Sequence, residues 1–155
     1  MGGQPYFKRE GLTWQLIAQR LYTRYLPHGY ILDSGAPCAF LRPGVAHDEL
    51  YFILGWTLTR LCNRLLKEVI NHTKNIQSKD FERLPYPWWV AAPDKQAAID
   101  SVRQMIAAAQ QGERFTPECP AITTLETRYR FPDAPPVIDV VDAPVTLVQS
   151  ELFAQ

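Results

Sequence analysis

An apolar run, LYFILGW at residues 50–56, constrains the fold of this chain more than any other feature. Read as a helix it is apolar on nearly every side, and a helix of that kind has to be buried. Asp48 and Glu49 stand just before the run, where carboxylates favour a first helical turn. We therefore expect a buried helix that begins at Asp48 or His47.

A second helix is expected directly after the first. Thr59 fits its N-cap, and helical spacing continues to about Ile70. One side carries an apolar stripe of Leu58, Leu61, Cys62, Leu65, Leu66 and Val69. The other side carries Arg60, Asn63, Arg64 and Lys67, which we interpret as a solvated face.

Residues 6–42 predict β-structure, because short runs rich in aromatic and β-branched residues alternate with Pro, Gly and Ser. The predicted strands are residues 12–18, 20–26, 30–33 and 37–41. In the second of these, period-2 alternation places Arg20, Tyr22 and Arg24 on one face. Two guanidinium groups beside an aromatic ring would suit an anionic partner. The alternative is that these arginines form ion pairs with Glu10, Asp33 or Glu82.

A polar segment with an apolar exit follows the helices, NHTKNIQSKDFERLPYP at residues 71–87. Its lysine and amide side chains donate hydrogen bonds to phosphates and base edges. Ser78 fits the cap of a single helical turn, and Pro85 and Pro87 end regular structure. Trp88 and Trp89 come next and predict a junction with one ring packed inward and one at an interface.

The last predicted helix begins at Pro93 and Asp94 and ends near Gln111, where Gly112 stops it. Its apolar stripe is narrow and needs another helix as its partner. The stripe consists of Ala98, Val102, Met105, Ile106 and Ala109.

Six prolines and six acidic residues fall in the sequence after Phe115. Residues 122–131 and 137–141 are compatible with strands, but we expect an irregular segment over the surface and a tail at residues 146–155.

The elements together predict an α+β fold. A small, twisted, mostly antiparallel sheet from about residues 6–42 packs on the two consecutive helices, and a recognition loop follows. We expect residues 1–92 to form the main domain, residues 93–112 a spacer-like helix, and residues 113–155 a proline-rich acidic extension on the surface or partly mobile.

Charge and cysteine content limit the possible functions. The net charge of zero divides into 11 Lys and Arg against 7 Asp and Glu before residue 87, and 5 against 9 from there on. The basic first part suits an anionic partner. Cys38, Cys62 and Cys119 are widely separated and predict neither a zinc site nor a disulfide framework, which fits the cytoplasm. No apolar run reaches the roughly 18 residues that span a bilayer.

Motifs that carry chemistry are missing from the sequence. It has no GxxxxGK[ST], GxGxxG or GxSxG pattern, and His28, His47 and His72 stand apart from one another. We therefore expect no catalytic residues, no metal site and no cofactor site in this chain. An independent small enzyme is the least favoured interpretation.

The order of motifs resembles the target-recognition region of adenine-specific DNA methyltransferases. The pieces that carry the resemblance are YFKREGLTW (6–14), RYLP (24–27), GYILDSGAPCAF (29–40), the helices of residues 50–70, and residues 71–87. It is strongest to BREX phage-defence methyltransferases of the PglX type and to Type IIG restriction–modification enzymes. The last two pieces also resemble the recognition domains of Type I restriction specificity subunits. His72 stands where the family has proline.

The resemblance implies a domain that reads double-stranded DNA for a catalytic methyltransferase domain in the same or another chain. That catalytic domain would use S-adenosylmethionine, and the work would take place on DNA in the bacterial cytoplasm, associated with the nucleoid. Candidate DNA contacts are Lys8, Arg9, Thr13, Arg20, Arg24, Lys74, Asn75, Gln77 and Lys79.

A protein–protein docking module in a defence or modification complex is the alternative. Its contact surface would consist of Trp88, Trp89, Val102 and Met105, and the helix of residues 94–111 could then also form a homodimer.

Overall fold

The computed structural model describes residues 8–33 and 35–131, together with the backbone of residues 153–154. Within these ranges the fold is α+β, as predicted, with a small antiparallel sheet and five α-helices. The predicted strand at residues 137–141, and most of the expected tail, lie outside the described residues.

Three short strands form the sheet in the order β2-β1-β3. They are β1 (Gly11–Thr13), β2 (Arg24–Leu26) and β3 (Cys38–Leu41), with Leu12 opposite both Tyr25 and Ala39. A fourth strand, β4 (Phe153–Ala154), pairs with the outer edge of β3. A Cβ at Gly11 would lie 2.6 Å from the carbonyl oxygen of Ala39, so glycine permits this close strand pairing.

The predicted strands were too long, and residues 30–33 form none. Tyr30 and Ile31 are 60% and 58% exposed. Without a surface to cover, their β-propensity does not produce a strand, because that propensity reflects packing on a half-buried sheet.

The helices follow the sheet along the chain. They are α1 (Asp48–Leu58), α2 (Arg60–Arg64), a π-helical segment (Leu65–Ile70), α3 (Ser78–Glu82), α4 (Ala92–Gln110) and α5 (Pro120–Arg128). Helix α1 is buried on nearly every side, as predicted, and Ile53 and Trp56 are fully enclosed. No described helix has both the length and the apolar character needed to cross a bilayer.

Thr59 caps α2 as predicted, since its Oγ1 accepts a hydrogen bond from the Cys62 N–H over 3.1 Å. Two predictions for neighbouring residues were wrong. Asn63, expected on the solvated face, is buried and accepts a hydrogen bond from the Leu21 N–H over 2.7 Å. Val69, expected in the apolar stripe, is 67% exposed, because the wider π-helical turn shifts the side chains after Arg64 off the α-helical spacing.

Helix α4 finds its partner within the chain, since it packs on α1 and α5. Residues 120–128, predicted as strand or irregular surface, form helix α5 instead. Ile122, Leu125 and Tyr129 lie in the same core as β1 and α1. Their helical spacing, and a proline at the first helical position, were compatible with this helix in the sequence. One core cluster therefore extends from β1 to α5, and the division into a main domain, a spacer-like helix and an extension stays a prediction.

Candidate functional site: the loop between the π-helical segment and α3

A π-helical segment leads directly into the polar loop. The Asn71 N–H donates to the Leu66 carbonyl over 2.7 Å, which closes the last wide turn. The chain then becomes extended at Asn71, with φ −149° and ψ 105°. π-Helical turns are rare and occur often at functional sites.

Asn71 organises the loop through both ends of its side-chain amide. Its Oδ1 accepts hydrogen bonds from the N–H and the hydroxyl of Thr73, each over 2.7 Å. Its Nδ2 donates to the carbonyl of Asn75 over 2.7 Å and to Oδ2 of Asp80 over 2.6 Å. This is the local side chain-to-backbone bonding by which Asn favours turns.

The loop is also fixed to the segment after β1. Asn75 forms an antiparallel bridge with Ile17. The Ala18 N–H donates to the Lys74 carbonyl over 2.8 Å, and the Ile76 N–H donates to the Leu16 carbonyl over 2.7 Å. The backbone of residues 74–76 is therefore held by residues 16–18 on one side and by the Asn71 amide on the other.

An aromatic pair lies beneath the loop. The Trp14 indole N–H donates to the Ile76 carbonyl over 3.0 Å. Its ring stacks on Phe81, with 4.5 Å between the ring centroids. Ile76, Phe81 and Leu84 are almost fully buried. The apolar exit residues thus pin the polar segment to the core, as its sequence predicted.

Lys67 crosses from the π-helical segment to the loop. Its Nζ donates to the Thr73 carbonyl over 2.6 Å and to the Ala18 carbonyl over 3.3 Å. Burial lowers the pKa of Lys67, while the nearby charge of Asp80 acts in the opposite direction. Lys67 therefore holds the loop through two of the three hydrogen-bond donors of its ammonium group.

Several side chains around this fixed backbone are exposed, His72 and Thr73 among them, and we call five of these exposed side chains the loop face. They are Ile17, Lys74, Asn75, Gln77 and Lys79. Asp80, the carboxylate next to Lys79, is only 4% exposed and is hydrogen-bonded to Asn71 and Gln77. The loop face therefore presents ammonium and amide groups to solvent.

None of the predicted site residues of the β-part belongs to the loop face. Arg9 donates to the Leu41 carbonyl over 2.7 Å and lies over the Phe40 ring. Thr13 donates from its hydroxyl to the Pro37 carbonyl over 3.0 Å. Both bonds reach β3 or the residue before it, so the side chains of Arg9 and Thr13 stabilise the sheet. Lys8 is exposed at the start of the described chain.

Arg20 and Arg24 line a cavity and are not members of the loop face. The guanidinium of Arg20 lies 5.4 Å from the centroid of the Tyr22 ring. The expected alternative was an ion pair, but within the described residues neither arginine has a carboxylate within 4.0 Å. Glu10 contacts His47 and Tyr25 instead.

The predicted docking surface is largely internal. Val102 and Met105 are 1% and 9% exposed, so they do not offer a contact surface to a second chain. Trp89 donates from its indole nitrogen to the Tyr129 carbonyl over 3.1 Å and stacks on Phe131. Trp88 is 50% exposed. The pair therefore has one ring packed inward and one facing outward, as predicted.

Side chains that bind metal ions are not grouped together in the described part of the chain. No three His, Cys, Asp or Glu side chains there come together as metal ligands. Burial raises the pKa of the Cys62 thiol well above its usual value, and burial also raises that of Cys38. Neither thiol is therefore activated as a thiolate nucleophile.

The sequence analysis did not identify three residues of this site, namely Asn71, Asp80 and Ile17. The roles of Asn71 and Asp80 could have been recognised from Asn-x-Thr turn chemistry and from the Gln-x-x-Asp spacing at the start of α3. Gln77, not the predicted Ser78, is the N-cap of α3, and its N–H donates to Asp80 over 2.9 Å. The exposure of Ile17, at 72%, had no sequence signal because Ile usually indicates core.

Comparison with known proteins adds no assignment. No protein-family model matches this sequence, and no curated protein is significantly similar to it.

Proposed function

We propose that this chain is a DNA target-recognition domain that reads sequence for an adenine-specific DNA methyltransferase. One observation carries the proposal: residues 16–18 and the Asn71 amide fix the backbone of residues 74–76, while the side chains of Lys74, Asn75, Gln77 and Lys79 are exposed. The order of the sequence motifs also supports a target-recognition function.

The chemistry of the loop face suits DNA. Asn and Gln side chains pair with the N6 and N7 groups of adenine in the major groove, and Lys binds phosphates or guanine. A base contact discriminates by about 1–3 kcal/mol only when its geometry is held. The bonds from Asn71 and from residues 16–18 supply that constraint before DNA arrives, which reduces the ordering cost of binding.

The proposed reaction takes place elsewhere. A catalytic methyltransferase domain, in the same or another chain, would extrude the adenine and transfer the methyl group from S-adenosylmethionine. In this division the present chain positions DNA and selects the sequence, acting on bacterial DNA in the cytoplasm.

The test measures binding of the chain to fluorescent duplexes of varied sequence, by anisotropy, over a range of salt concentrations. Lys74→Ala with Lys79→Ala should weaken binding to all duplexes and reduce the slope of log affinity against log salt by about 1.8, at 0.9 per phosphate contact. Arg114→Ala with Arg130→Ala is the matched control, because both arginines are exposed outside the loop face. An unchanged slope in the lysine variant would exclude both lysines as phosphate contacts.

A second pair of variants separates reading from positioning. Asn75→Ala and Gln77→Ala should change the order of preference among duplexes by about 1–3 kcal/mol per lost base contact, with little effect on the salt slope. If every duplex weakens equally, these amides do not read bases.

Trp88 supports a second candidate function, a protein-docking module. A tryptophan that is half exposed beside a buried aromatic cluster is typical of an interface anchor. Absence of any DNA binding at low salt, together with a partner contact abolished by Trp88→Ala, would favour docking.

A further inference from the structure

A cavity of about 500 Å³ opens between the segment of residues 20–27, helices α1 and α4, and the start of α5. Its volume lies within the range of small-molecule sites, about 300–1,000 Å³. The walls are mostly apolar and include Leu54, Leu58, Val102, Met105, Ile106 and Phe115. An apolar ligand body would therefore be enclosed by side chains from three elements.

One wall carries polar groups whose hydrogen-bonding capacity is unused. Thr23 is 5% exposed, and its hydroxyl is buried without a hydrogen-bond partner in the described structure. The Nε of Arg20 is buried and equally unpartnered there. Buried polar groups are nearly always satisfied, and both of these unsatisfied atoms belong to residues that line the cavity.

The charge of the wall defines the class of acceptor that would satisfy these atoms. Arg20 and Arg24 both line the cavity, and no acidic side chain of the described residues does. Arginine binds carboxylates and phosphates with two parallel N–H···O bonds. The mostly apolar walls favour the singly charged carboxylate, because each buried charge carries a desolvation cost. A carboxylate oxygen could also accept the hydroxyl proton of Thr23.

We infer that this cavity binds a small organic carboxylate with an apolar body. The carboxylate contacts Arg20 and Arg24, and the apolar part packs between residues 20–25 and helix α4. The inference does not depend on the proposed DNA function, since it uses no residue of the loop face.

The experiment titrates the chain with octanoate by isothermal calorimetry, in the absence of DNA. Octanamide serves as the matched uncharged probe. Octanoate should bind saturably with about one site per chain, and octanamide at least about tenfold more weakly, because hydrogen bonds to a charged acceptor are the stronger ones. Absence of saturable octanoate binding, or equal affinity for both probes, would overturn the inference.

Variants locate the site. Arg20→Gln with Arg24→Gln should weaken octanoate binding at least about tenfold and leave octanamide binding unchanged. Arg114→Gln with Arg130→Gln removes the same charge from positions outside the cavity and should change neither. If this control weakens octanoate as much as the cavity variant does, the attraction is nonspecific and the inference fails.

Filling the cavity provides an independent check. Ala109 lies on the exposed side of α4 and lines the cavity, so Ala109→Trp can enter it without replacing a core residue. Circular dichroism should show an unchanged fold, and binding of both probes should be lost. Normal octanoate binding in this folded variant would place the ligand elsewhere.

Lys74→Ala with Lys79→Ala should leave octanoate affinity unchanged, so a failure of the DNA proposal can be distinguished from a failure of this inference.

Discussion

Asn71 and Asp80 join the two ends of the loop through a hydrogen bond of 2.6 Å between Nδ2 and Oδ2. The same carboxylate oxygen accepts the Gln77 N–H over 2.9 Å. Asp80 is only 4% exposed, so these bonds are shielded from water. The end of the π-helical segment and the start of α3 are thereby held as one unit beneath the loop face.

Asp80→Ala should therefore destabilise the chain by about 2–3 kcal/mol, because it removes one of the two acceptors of the Asn71 amide and the acceptor of the Gln77 N–H. Urea denaturation measures the change in the free energy of unfolding. Asp100→Ala, on the exposed side of α4, is the control and should stay within about 0.5 kcal/mol. A loss of less than about 1 kcal/mol in Asp80→Ala would show that the loop is held without this carboxylate.

Gly55 lies where α1 approaches Tyr129. A Cβ at this position would be 2.5 Å from the Tyr129 hydroxyl oxygen and 3.0 Å from Cγ2 of Val102. That hydroxyl donates to the Phe52 carbonyl over 2.6 Å and is not free to move away.

Gly55→Ala should destabilise by about 1–3 kcal/mol through overpacking, although helix propensity alone favours alanine by about 1 kcal/mol. Tyr129→Phe removes the oxygen that would clash with the new Cβ. Gly55→Ala should therefore destabilise the Tyr129→Phe chain less than it destabilises the parent chain. Both are measured by urea denaturation. A Gly55→Ala variant that is more stable than the parent would contradict the close contact.

The helical part of the fold could be predicted from sequence because its signals are local. The apolar run of residues 50–56 predicted a buried helix, and the hydroxyl of Thr59 predicted a cap; both were confirmed. Helix α5 was missed because prolines on either side outweighed the helical spacing of Ile122, Leu125 and Tyr129.

The site could be predicted only as a set of side chains. The exposed lysines and amides of the loop were named from the sequence, but their support was not. It depends on long-range contacts, such as Trp14 with Ile76 and Ala18 with Lys74. Pairings between residues about 60 positions apart leave no periodic pattern in the sequence. The separation of Arg20 from the loop face could therefore not be predicted, and the π-helical segment was read as ordinary α-helix.

The two adjacent tryptophans should differ sharply in their contribution to stability. Trp89 packs on Trp56, with 5.3 Å between ring centroids, and on Phe131, with 4.2 Å. Trp89→Ala should cost about 3 kcal/mol in the free energy of unfolding. Trp88→Ala, its matched control on the exposed side, should cost less than about 1 kcal/mol. Equal losses in urea denaturation would mean that the pair forms a single packed unit.

Alkaline pH should destabilise this chain through its tyrosines. The pKa of Tyr25 is raised above its usual value of 10.0, first by burial and then by the hydrogen bond that its hydroxyl donates to Glu10. Burial is also the largest cause of the raised pKa of Tyr51, Tyr86 and Tyr129. Below about pH 10 these hydroxyls are neutral in both the folded and the unfolded chain. Above it the unfolded chain loses protons that the folded chain retains, so stability falls as the pH rises toward the folded pKa values.

Urea denaturation at pH 8, 9, 10 and 11 should therefore give a constant free energy of unfolding up to about pH 9 to 10 and a decline above it. Tyr25→Phe should make the decline shallower, by up to about 1.4 kcal/mol per pH unit. Tyr30→Phe removes an exposed tyrosine and should leave the slope unchanged. If Tyr25→Phe and the parent chain decline in parallel, the Tyr25 hydroxyl ionises as readily in the folded chain as in the unfolded one, and its contact with Glu10 does not hold the proton.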